Sequence, residues 1–231
     1  MEGERGSAGG RDGKGSAPIL RLTEHGPSIR VVRALVPILQ GGGVVLLPTD
    51  TIYGFSARFD RQSARRRIRE IKGSDRSTSM VSLVSGLEMA FRYAEPPHGA
   101  CQELLHKYWP GPLTAVLRAR AHVPTELCGP GDTLAFRWPM SPFLQALLGS
   151  LGVPLVSSSA NRTGEPTPSS FAALARAFGG DLDAVVDGGT LSGLASSIVD
   201  LTGPEPELLR QGSSMIPGIR KTRAHHGPDG A

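Results

Sequence analysis

Apolar and polar positions along the chain follow two different periods, one typical of helices and one typical of strands. From Ile29 to Leu39 apolar residues recur at helical spacing, which predicts a helix that Ser28 caps and that Pro37 kinks or shortens. Elsewhere short apolar runs lie between Gly, Pro and polar clusters, which is typical of buried strands. The chain therefore alternates between helix-sized and strand-sized segments.

This alternation predicts an α/β fold, a sheet with helices packed on it. The predicted helices cover 28–40, 61–71, 87–94, 99–108, 141–148 and 168–178. The predicted strands cover 43–47, 53–57, 81–84, 113–118, 133–137, 153–157, 184–186, 197–200 and 207–210.

Composition and punctuation along the chain predict a single domain. Among 231 residues 39% are hydrophobic and 20% are charged, values that exclude wholesale disorder, collagen-like and coiled-coil classes. The longest apolar runs are strand-sized, which excludes a membrane span. No composition break divides 18–212, so we expect one domain there, with 1–17 and 213–231 as disordered tails, the second of them basic.

The two cysteines, Cys101 and Cys128, show no spacing that suits zinc or a disulfide framework. We therefore expect a reducing compartment and no protein-only metal site. The N-terminal segment is rich in Gly and Ser and lacks an apolar stretch, so it resembles neither a signal peptide nor an ordinary transit peptide. These features predict a cytoplasmic protein without a membrane partner.

Positive charge is concentrated between positions 58 and 76. This segment carries eight basic and three acidic side chains, a net charge of +5. Such a strip can attract phosphate-bearing ligands or RNA. It is also typical of a solvated helix face, because Ala64, Ile68 and Ile71 form an apolar stripe that the arginines surround. Both interpretations stay open from the charge pattern alone.

Four polar segments follow or interrupt the apolar strands, at 48–54, 71–76, 155–164 and 193–197. Ligands of open α/β sheets bind beyond the carboxyl ends of strands, so these positions are candidates for a site. Arg210 closes a later strand, where a guanidinium group recognises phosphate or carboxylate through two hydrogen bonds. Each segment taken alone is also typical of an ordinary turn.

The joint order of these segments is more informative than any one of them. The chain contains, in order, PTDTIYG, IKG, WPGPLT, DTLAFR, PLVSSSAN, VVDGG, SSIVD and LLRQG. In this order it resembles the YrdC/TsaC family of L-threonylcarbamoyladenylate synthases over roughly residues 28–212. The resemblance implies the short, single-domain form and a twisted, mostly parallel or mixed sheet with flanking helices and a basic concave cleft.

The resemblance also implies a nucleotidyltransferase. Such an enzyme makes threonylcarbamoyl-AMP and pyrophosphate from L-threonine, bicarbonate and ATP, with Mg²⁺ accompanying the ATP. Its product feeds the threonylcarbamoyladenosine modification of tRNA through a downstream threonylcarbamoyl transferase. Contact with tRNA or double-stranded RNA is a further expectation.

Matching positions carry the expected site residues. For L-threonine the resemblance implies Thr51, Arg137, Ser157 and Ser196, and it gives Arg137 and Lys72 as the catalytic pair. For ATP it implies Lys72, Thr133, Ser159, Asn161, Thr167 and Arg210.

Three positions depart from the family pattern. Ser74 stands where the family usually has an arginine, Ser79 where it has a proline, and Ala195 where it has a glutamate. Our hypothesis is that Arg76 replaces the missing arginine, in which case an Arg76→Ala variant binds ATP less tightly.

The departures leave two alternatives to the synthase open. One is a catalytically weakened paralogue that acts as an RNA-binding or regulatory protein. The other is a related acyl-adenylate activity that uses a different amine or carbamoyl phosphate.

Overall fold

The computed structural model describes residues 17–22, 28–74, 80–191 and 193–221. Within these ranges the chain forms one sheet of eleven strands, six α-helices and a short 3₁₀-helix, Thr125–Leu127. The strands are β1 Ile19–Arg21, β2 Val45–Leu47, β3 Gly54–Arg58, β4 Val81–Leu83, β5 Leu113–Arg118, β6 Thr133–Arg137, β7 Leu155–Ser159, β8 Ala184–Asp187, β9 Ser197–Asp200, β10 Glu207–Arg210 and β11 Arg220–Lys221. The helices are α1 Ile29–Gln40, α2 Gln62–Lys72, α3 Leu87–Phe91, α4 Gly99–Tyr108, α5 Pro142–Leu151 and α6 Phe171–Phe178.

The sheet is mixed, and its strand order is β1-β8-β2-β3-β7-β4-β6-β5-β9-β10-β11. Five of the ten strand pairings are parallel and five are antiparallel. The predicted α/β sheet with flanking helices is therefore confirmed, and the pairing is mixed rather than mostly parallel. Strands β2 and β3 are joined by a short loop and pair antiparallel, as do β9 and β10, because the chain reverses between them.

Helix α1 follows its hydrophobic pattern and ends at Gln40, where the predicted helix ends, but its N-terminal cap differs from the prediction. Ser28 makes no side-chain cap hydrogen bond, so its predicted capping role is wrong. The helix continues three residues past Pro37, so of the two predicted effects, a kink or a shortening, Pro37 does not produce the shortening. Pro37 lies in the last turn, where its missing N–H costs a single helical hydrogen bond and the apolar face remains intact.

Two apolar clusters hold helices on the sheet. In one, Leu35 of α1 and Leu144 and Leu148 of α5 pack on Leu47 and Leu155. In the other, helices α2, α3, α4 and α6 pack on a second set of strand residues. This second cluster includes Phe55, Ile68, Met89, Leu105, Phe136, Val156 and Phe178.

The domain extends beyond the boundary predicted at 212. Ser213 donates its backbone N–H to the Ala195 carbonyl at 2.9 Å, Ile216 is 6% exposed, and β11 pairs with β10. The prediction of a disordered segment from 213 is therefore wrong for 213–221. The remaining predicted tail residues, 1–16 and 222–231, lie outside the described residues.

Both cysteines are free thiols, Cys101 buried and Cys128 half-buried. Of the helices in the described ranges, none has the length and apolar character that crossing a membrane requires.

Candidate active site

A buried arginine at the end of β6 meets the loop that follows β2. The Nη1 of Arg137 donates to the Thr51 hydroxyl at 2.8 Å, and its Nη2 donates to the Asp50 carboxylate. Asp50 also accepts the Met140 backbone N–H at 3.0 Å, and Thr49 holds the turn through a 2.7 Å bond to the Ile52 carbonyl. Two of the predicted L-threonine residues, Thr51 and Arg137, are therefore in direct contact.

Burial makes this arginine chemically unusual. Arg137 is 5% exposed, and its Nε has no hydrogen-bond partner among the described residues. Burial lowers the pKa of Arg137 from its ordinary value, while the neighbouring Asp50 charge opposes that shift. The guanidinium nevertheless stays protonated near neutral pH, because its ordinary pKa is so high. Arg137 is therefore a desolvated cation held in a fixed position. Its planar guanidinium has the geometry that donates two parallel hydrogen bonds to a carboxylate.

A buried lysine organises a second group of predicted residues. Lys72, the last residue of α2, donates through Nζ to the carbonyls of Ser159 and Asn161 at 2.6 and 2.9 Å. The same ammonium reaches the side-chain oxygen of Asn161 at 3.1 Å, and Thr167 donates to that oxygen at 3.3 Å. The backbone N–H of Thr163 donates a hydrogen bond to the Lys72 carbonyl at 2.9 Å. Lys72 therefore fixes the loop that follows β7.

Burial lowers the pKa of the Lys72 ammonium to about 8. The surrounding oxygens favour the charged form, so desolvation is the stronger influence.

We expect NMR of ¹³C-lysine-labelled protein to show one ammonium with a titration midpoint near 8. The chain has only four lysines, Lys14, Lys72, Lys107 and Lys221, and the signal missing from Lys72→Met identifies the resonance. Between pH about 8 and 10.5 the unfolded chain holds the proton that the folded chain has released. The free energy of unfolding then rises with pH across that window, and Lys72→Met removes this contribution. The absence of any lysine resonance with a midpoint near 8 would contradict the assignment.

A third group joins β5, β9 and the chain after β10. Ser196 is 4% exposed, and its hydroxyl lies 2.8 Å from that of Thr114. Arg210 donates through Nη2 to the Ser196 carbonyl at 2.9 Å. Gly212 donates its N–H to the Ser197 hydroxyl at 2.8 Å, which brings the two segments together.

Gly212 lies where no side chain fits. A Cβ there would stand 2.3 Å from the Ala195 carbonyl oxygen and 2.4 Å from the Ser196 carbonyl carbon. We expect Gly212→Ala to lower the free energy of unfolding by about 1–3 kcal/mol, because backbone must move. The matched variant is Gly149→Ala in α5, where nothing lies within 4 Å, and it should stabilise by up to about 1 kcal/mol. Urea denaturation of both variants checks the contrast, and equal effects would refute it.

Ser157 and Thr133 occupy separate positions. Ser157 on β7 accepts a 3.0 Å hydrogen bond from Ser56, directly beside Gly54, where a Cβ would lie 2.3 Å from the Ser157 hydroxyl oxygen. Thr133 donates its hydroxyl to the Pro130 carbonyl at 2.9 Å and lines a cavity of about 490 Å³ together with Arg210.

In the described part of the chain, hydrogen bonds therefore arrange the predicted residues in groups. Thr51 joins Arg137, Lys72 joins Ser159, Asn161 and Thr167, and Ser196 joins Arg210. A common cavity joins Thr133 to Arg210, whereas Ser157 contacts Ser56.

The arginines of α2 do not form a uniform solvated face. Arg61 and Arg66 are exposed, but Arg67 pairs with Asp183 and Arg65 is 7% exposed. The interpretation of the whole basic strip as a solvated helix face is therefore wrong. The predicted substitute Arg76 lies outside the described residues, as does Ser79.

Sequence reasoning missed several residues that build the site. The motif PTDTIYG places Asp50 next to Thr51, but an aspartate after a strand is also typical of a turn, so the sequence alone does not single it out. Thr114 in WPGPLT and Gly212 in LLRQG carry no stronger signal of their own. Within the described ranges no group of three or more His, Cys, Asp or Glu side chains could hold a metal ion.

A mixed α/β sheet that carries two buried cations, Arg137 and Lys72, and a cavity lined by Arg210 defines an α/β protein with candidate positions for anionic ligands. A family model named Sua5_yciO_yrdC, with the description "Telomere recombination", matches residues 37–212. The chain belongs to this Sua5/YciO/YrdC family.

Curated relatives share one name. Threonylcarbamoyl-AMP synthase of Pyrococcus abyssi is 32% identical over 191 residues, which cover 82% of this chain and 56% of that protein. Threonylcarbamoyl-AMP synthase of Nitrosococcus oceani is 36% identical over 157 residues, which cover 68% of this chain and 85% of that protein. This chain thus spans little more than half the length of the P. abyssi relative.

Solved structures show the same fold. The crystal structure of P. abyssi Sua5 complexed with L-threonine matches with a TM-score of 0.79 and 30% identity, covering 89% of this chain and 62% of that one. The crystal structure of E. coli YciO matches with a TM-score of 0.80 and 25% identity, covering 87% of this chain and 98% of that one.

Proposed function

We propose that this protein is an L-threonylcarbamoyladenylate synthase that converts L-threonine, bicarbonate and ATP into threonylcarbamoyl-AMP and pyrophosphate. The observation that carries the proposal is Arg137, a buried guanidinium beside the Thr51 hydroxyl. A cation and a hydroxyl side by side suit an amino acid with a carboxylate and a side-chain hydroxyl. The family's Sua5 member complexed with L-threonine supports this assignment.

The reaction needs two bond-forming steps. The threonine amine adds to the carbon of CO₂ and forms a carbamate, and a proton leaves the nitrogen. When bicarbonate is the carbon source, the same carbamate forms with release of a water molecule. A carbamate oxygen then attacks the α-phosphorus of ATP, the bond from that phosphorus to the bridging oxygen breaks, and pyrophosphate departs. In this scheme Arg137 binds and orients the threonine carboxylate, which holds the amine at a fixed position.

The ATP side requires positive charge and hydrogen-bond donors. Lys72 fixes the chain at Ser159 and Asn161, and the Ser159 hydroxyl there is a donor that suits phosphate oxygens. Arg210 lines the cavity and adds a guanidinium group. Mg²⁺ neutralises phosphate charge when it arrives with ATP, and it requires few protein ligands because phosphate oxygens and water supply most of its coordination. The carboxylates of Glu126 and Asp200 line the same cavity and fit this demand for oxygen ligands.

Pyrophosphate release tests the proposal. The wild-type protein should release pyrophosphate from ATP only when L-threonine and bicarbonate are both present. Omission of each substrate gives the baseline, and Arg33→Met, which changes an exposed residue on α1, is the matched control. Pyrophosphate release that does not depend on threonine would indicate a related acyl-adenylate activity instead.

The product is a mixed anhydride of a carbamate and a phosphate, which water hydrolyses readily. We therefore propose that a downstream threonylcarbamoyl transferase takes it up promptly and that tRNA is the final acceptor.

Salt dependence separates the synthase from the RNA-binding alternative. An RNA-binding or regulatory paralogue should bind RNA with an affinity that falls steeply with ionic strength and does not respond to nucleotide. The exposed Arg61, directly before α2, and the exposed Arg66 on α2 are the residues that such binding would use first.

A further inference from the structure

Two arginines on adjacent turns of α2 line the cavity that Thr133 and Arg210 share. Arg65 and Arg69 are four residues apart, so they lie on the same side of the helix. Neither belongs to the motifs that the sequence singled out. Their position links the basic segment of the sequence to the candidate site.

Most donors of Arg65 are unsatisfied. Arg65 is 7% exposed, and its Nε and Nη1 are buried with no hydrogen-bond partner among the described residues. Its Nη2 donates to the Leu127 carbonyl at 3.3 Å. The Nε of Arg69 is likewise buried without a partner in the described part of the chain. Buried guanidinium donors without acceptors cost free energy, which a bound anion would recover.

The charges around this pair do not cancel. Burial and the nearby Arg69 charge both lower the pKa of Arg65. Two carboxylates, Glu126 and Asp200, line the cavity, but no ion pair joins either of them to these arginines within the described ranges. Asp200 accepts hydrogen bonds from the backbone and hydroxyl of Thr202 instead, at 2.8 and 2.7 Å.

The rest of the cavity has the character of a nucleotide site. Its volume of about 490 Å³ lies in the usual range for small-molecule sites, roughly 300–1,000 Å³. Val116, Ile198 and Leu209 supply apolar walls that suit a flat base. Arg210 adds a third guanidinium to the lining. Apolar walls beside clustered arginines match the two ends of a nucleoside polyphosphate.

We propose that Arg65 and Arg69 form a phosphate subsite that binds the polyphosphate chain of the nucleotide. The identity of the nucleotide rests on the proposed function, but binding of a di- or triphosphate chain does not. Ser74 stands where the family usually has an arginine. In this arrangement α2 supplies the positive charge that the loop after α2 does not supply at that position.

Calorimetric titration with inorganic tripolyphosphate tests the subsite directly. Arg65→Met and Arg69→Met should each weaken binding about 10-fold or more, since each removes a fork of donors to phosphate oxygens. The control is Arg66→Met, which removes the same charge from an exposed position on the same helix and should leave the affinity unchanged. ATP affinity should fall in parallel, and adenosine affinity should not change.

Thermal unfolding shows whether each variant is folded and gives a second measure of tripolyphosphate binding. Tripolyphosphate should raise the Tm of the wild-type protein and of Arg66→Met, and raise that of Arg65→Met and Arg69→Met much less. If the buried Arg65→Met variant fails to fold, Arg69→Met decides, because Arg69 is only partly buried. Unchanged tripolyphosphate affinity in Arg69→Met, or an equal loss in Arg66→Met, would overturn the subsite.

The subsite and the proposed function fail in different ways. A protein that binds tripolyphosphate through Arg65 and Arg69 but releases no threonine-dependent pyrophosphate keeps the subsite and refutes the function. A protein that releases pyrophosphate with the same KM for ATP in both arginine variants keeps the function and refutes the subsite.

Discussion

Replacing Arg137 by methionine should weaken L-threonine binding roughly 30-fold or more, the effect of removing one partner from a buried, hydrogen-bonded charge pair. The reason is geometric, because Arg137 is 5% exposed and its fork already faces the Thr51 hydroxyl. Titration calorimetry with L-threonine measures the loss. Arg33→Met, an exposed replacement of the same type, should retain wild-type affinity.

The same substitution should also destabilise the fold by about 2–4 kcal/mol, because it leaves the partly buried Asp50 carboxylate without its cation. The double variant Asp50→Asn, Arg137→Met removes that stranded charge and should recover much of the lost stability. It should not recover threonine affinity. Urea denaturation separates the two effects, and a double variant no more stable than Arg137→Met would contradict the ion-pair account.

Replacing Lys72 by methionine should abolish most threonine-dependent pyrophosphate release, by about 100-fold or more, a typical loss when a preorganised donor is removed from an active site. Lys72 is 4% exposed and holds the Ser159 and Asn161 carbonyls, so its loss releases the loop as well as the charge. Steady-state kinetics on folded protein measures the change. The effect should appear in kcat and in the KM for ATP.

Lys107→Met is the matched control, since Lys107 is exposed on α4. It should keep the wild-type rate. Threonine affinity in Lys72→Met should stay within a few-fold of the wild type, because Lys72 belongs to a separate hydrogen-bonded group from Arg137. A Lys72→Met variant with full turnover would show that the loop does not depend on the ammonium.

The sequence predicted the interior of the fold better than its edges. Strand β5, predicted at 113–118, is found at Leu113–Arg118, because a mainly apolar run that follows Pro112 marks a buried strand clearly. Strands β1 and β11 were missed, because each has only two or three residues and lies at an end of the sheet. Their backbone pairing, rather than side-chain pattern, places them there.

The candidate site likewise contains residues that the sequence identified and residues that only the structure reveals. The order of the motifs identified Lys72, Ser159 and Asn161 as candidates, and in the structure direct hydrogen bonds connect them. The partnership of Arg137 with Asp50 spans 87 residues, so no local pattern could reveal it. The burial of Arg65 was equally hidden, because a helical period locates the apolar stripe but not what covers the residues next to it.

Product identity is the most direct test of the central claim. The protein should be incubated with ATP, Mg²⁺, L-threonine and ¹³C-labelled bicarbonate. The nucleotides should then be separated and their masses measured by mass spectrometry. A threonylcarbamoyl-AMP species that carries the ¹³C label, formed together with pyrophosphate and missing from Arg137→Met, is the predicted result. Folded wild-type protein that yields no labelled adenylate would contradict the assignment of this chain as a synthase.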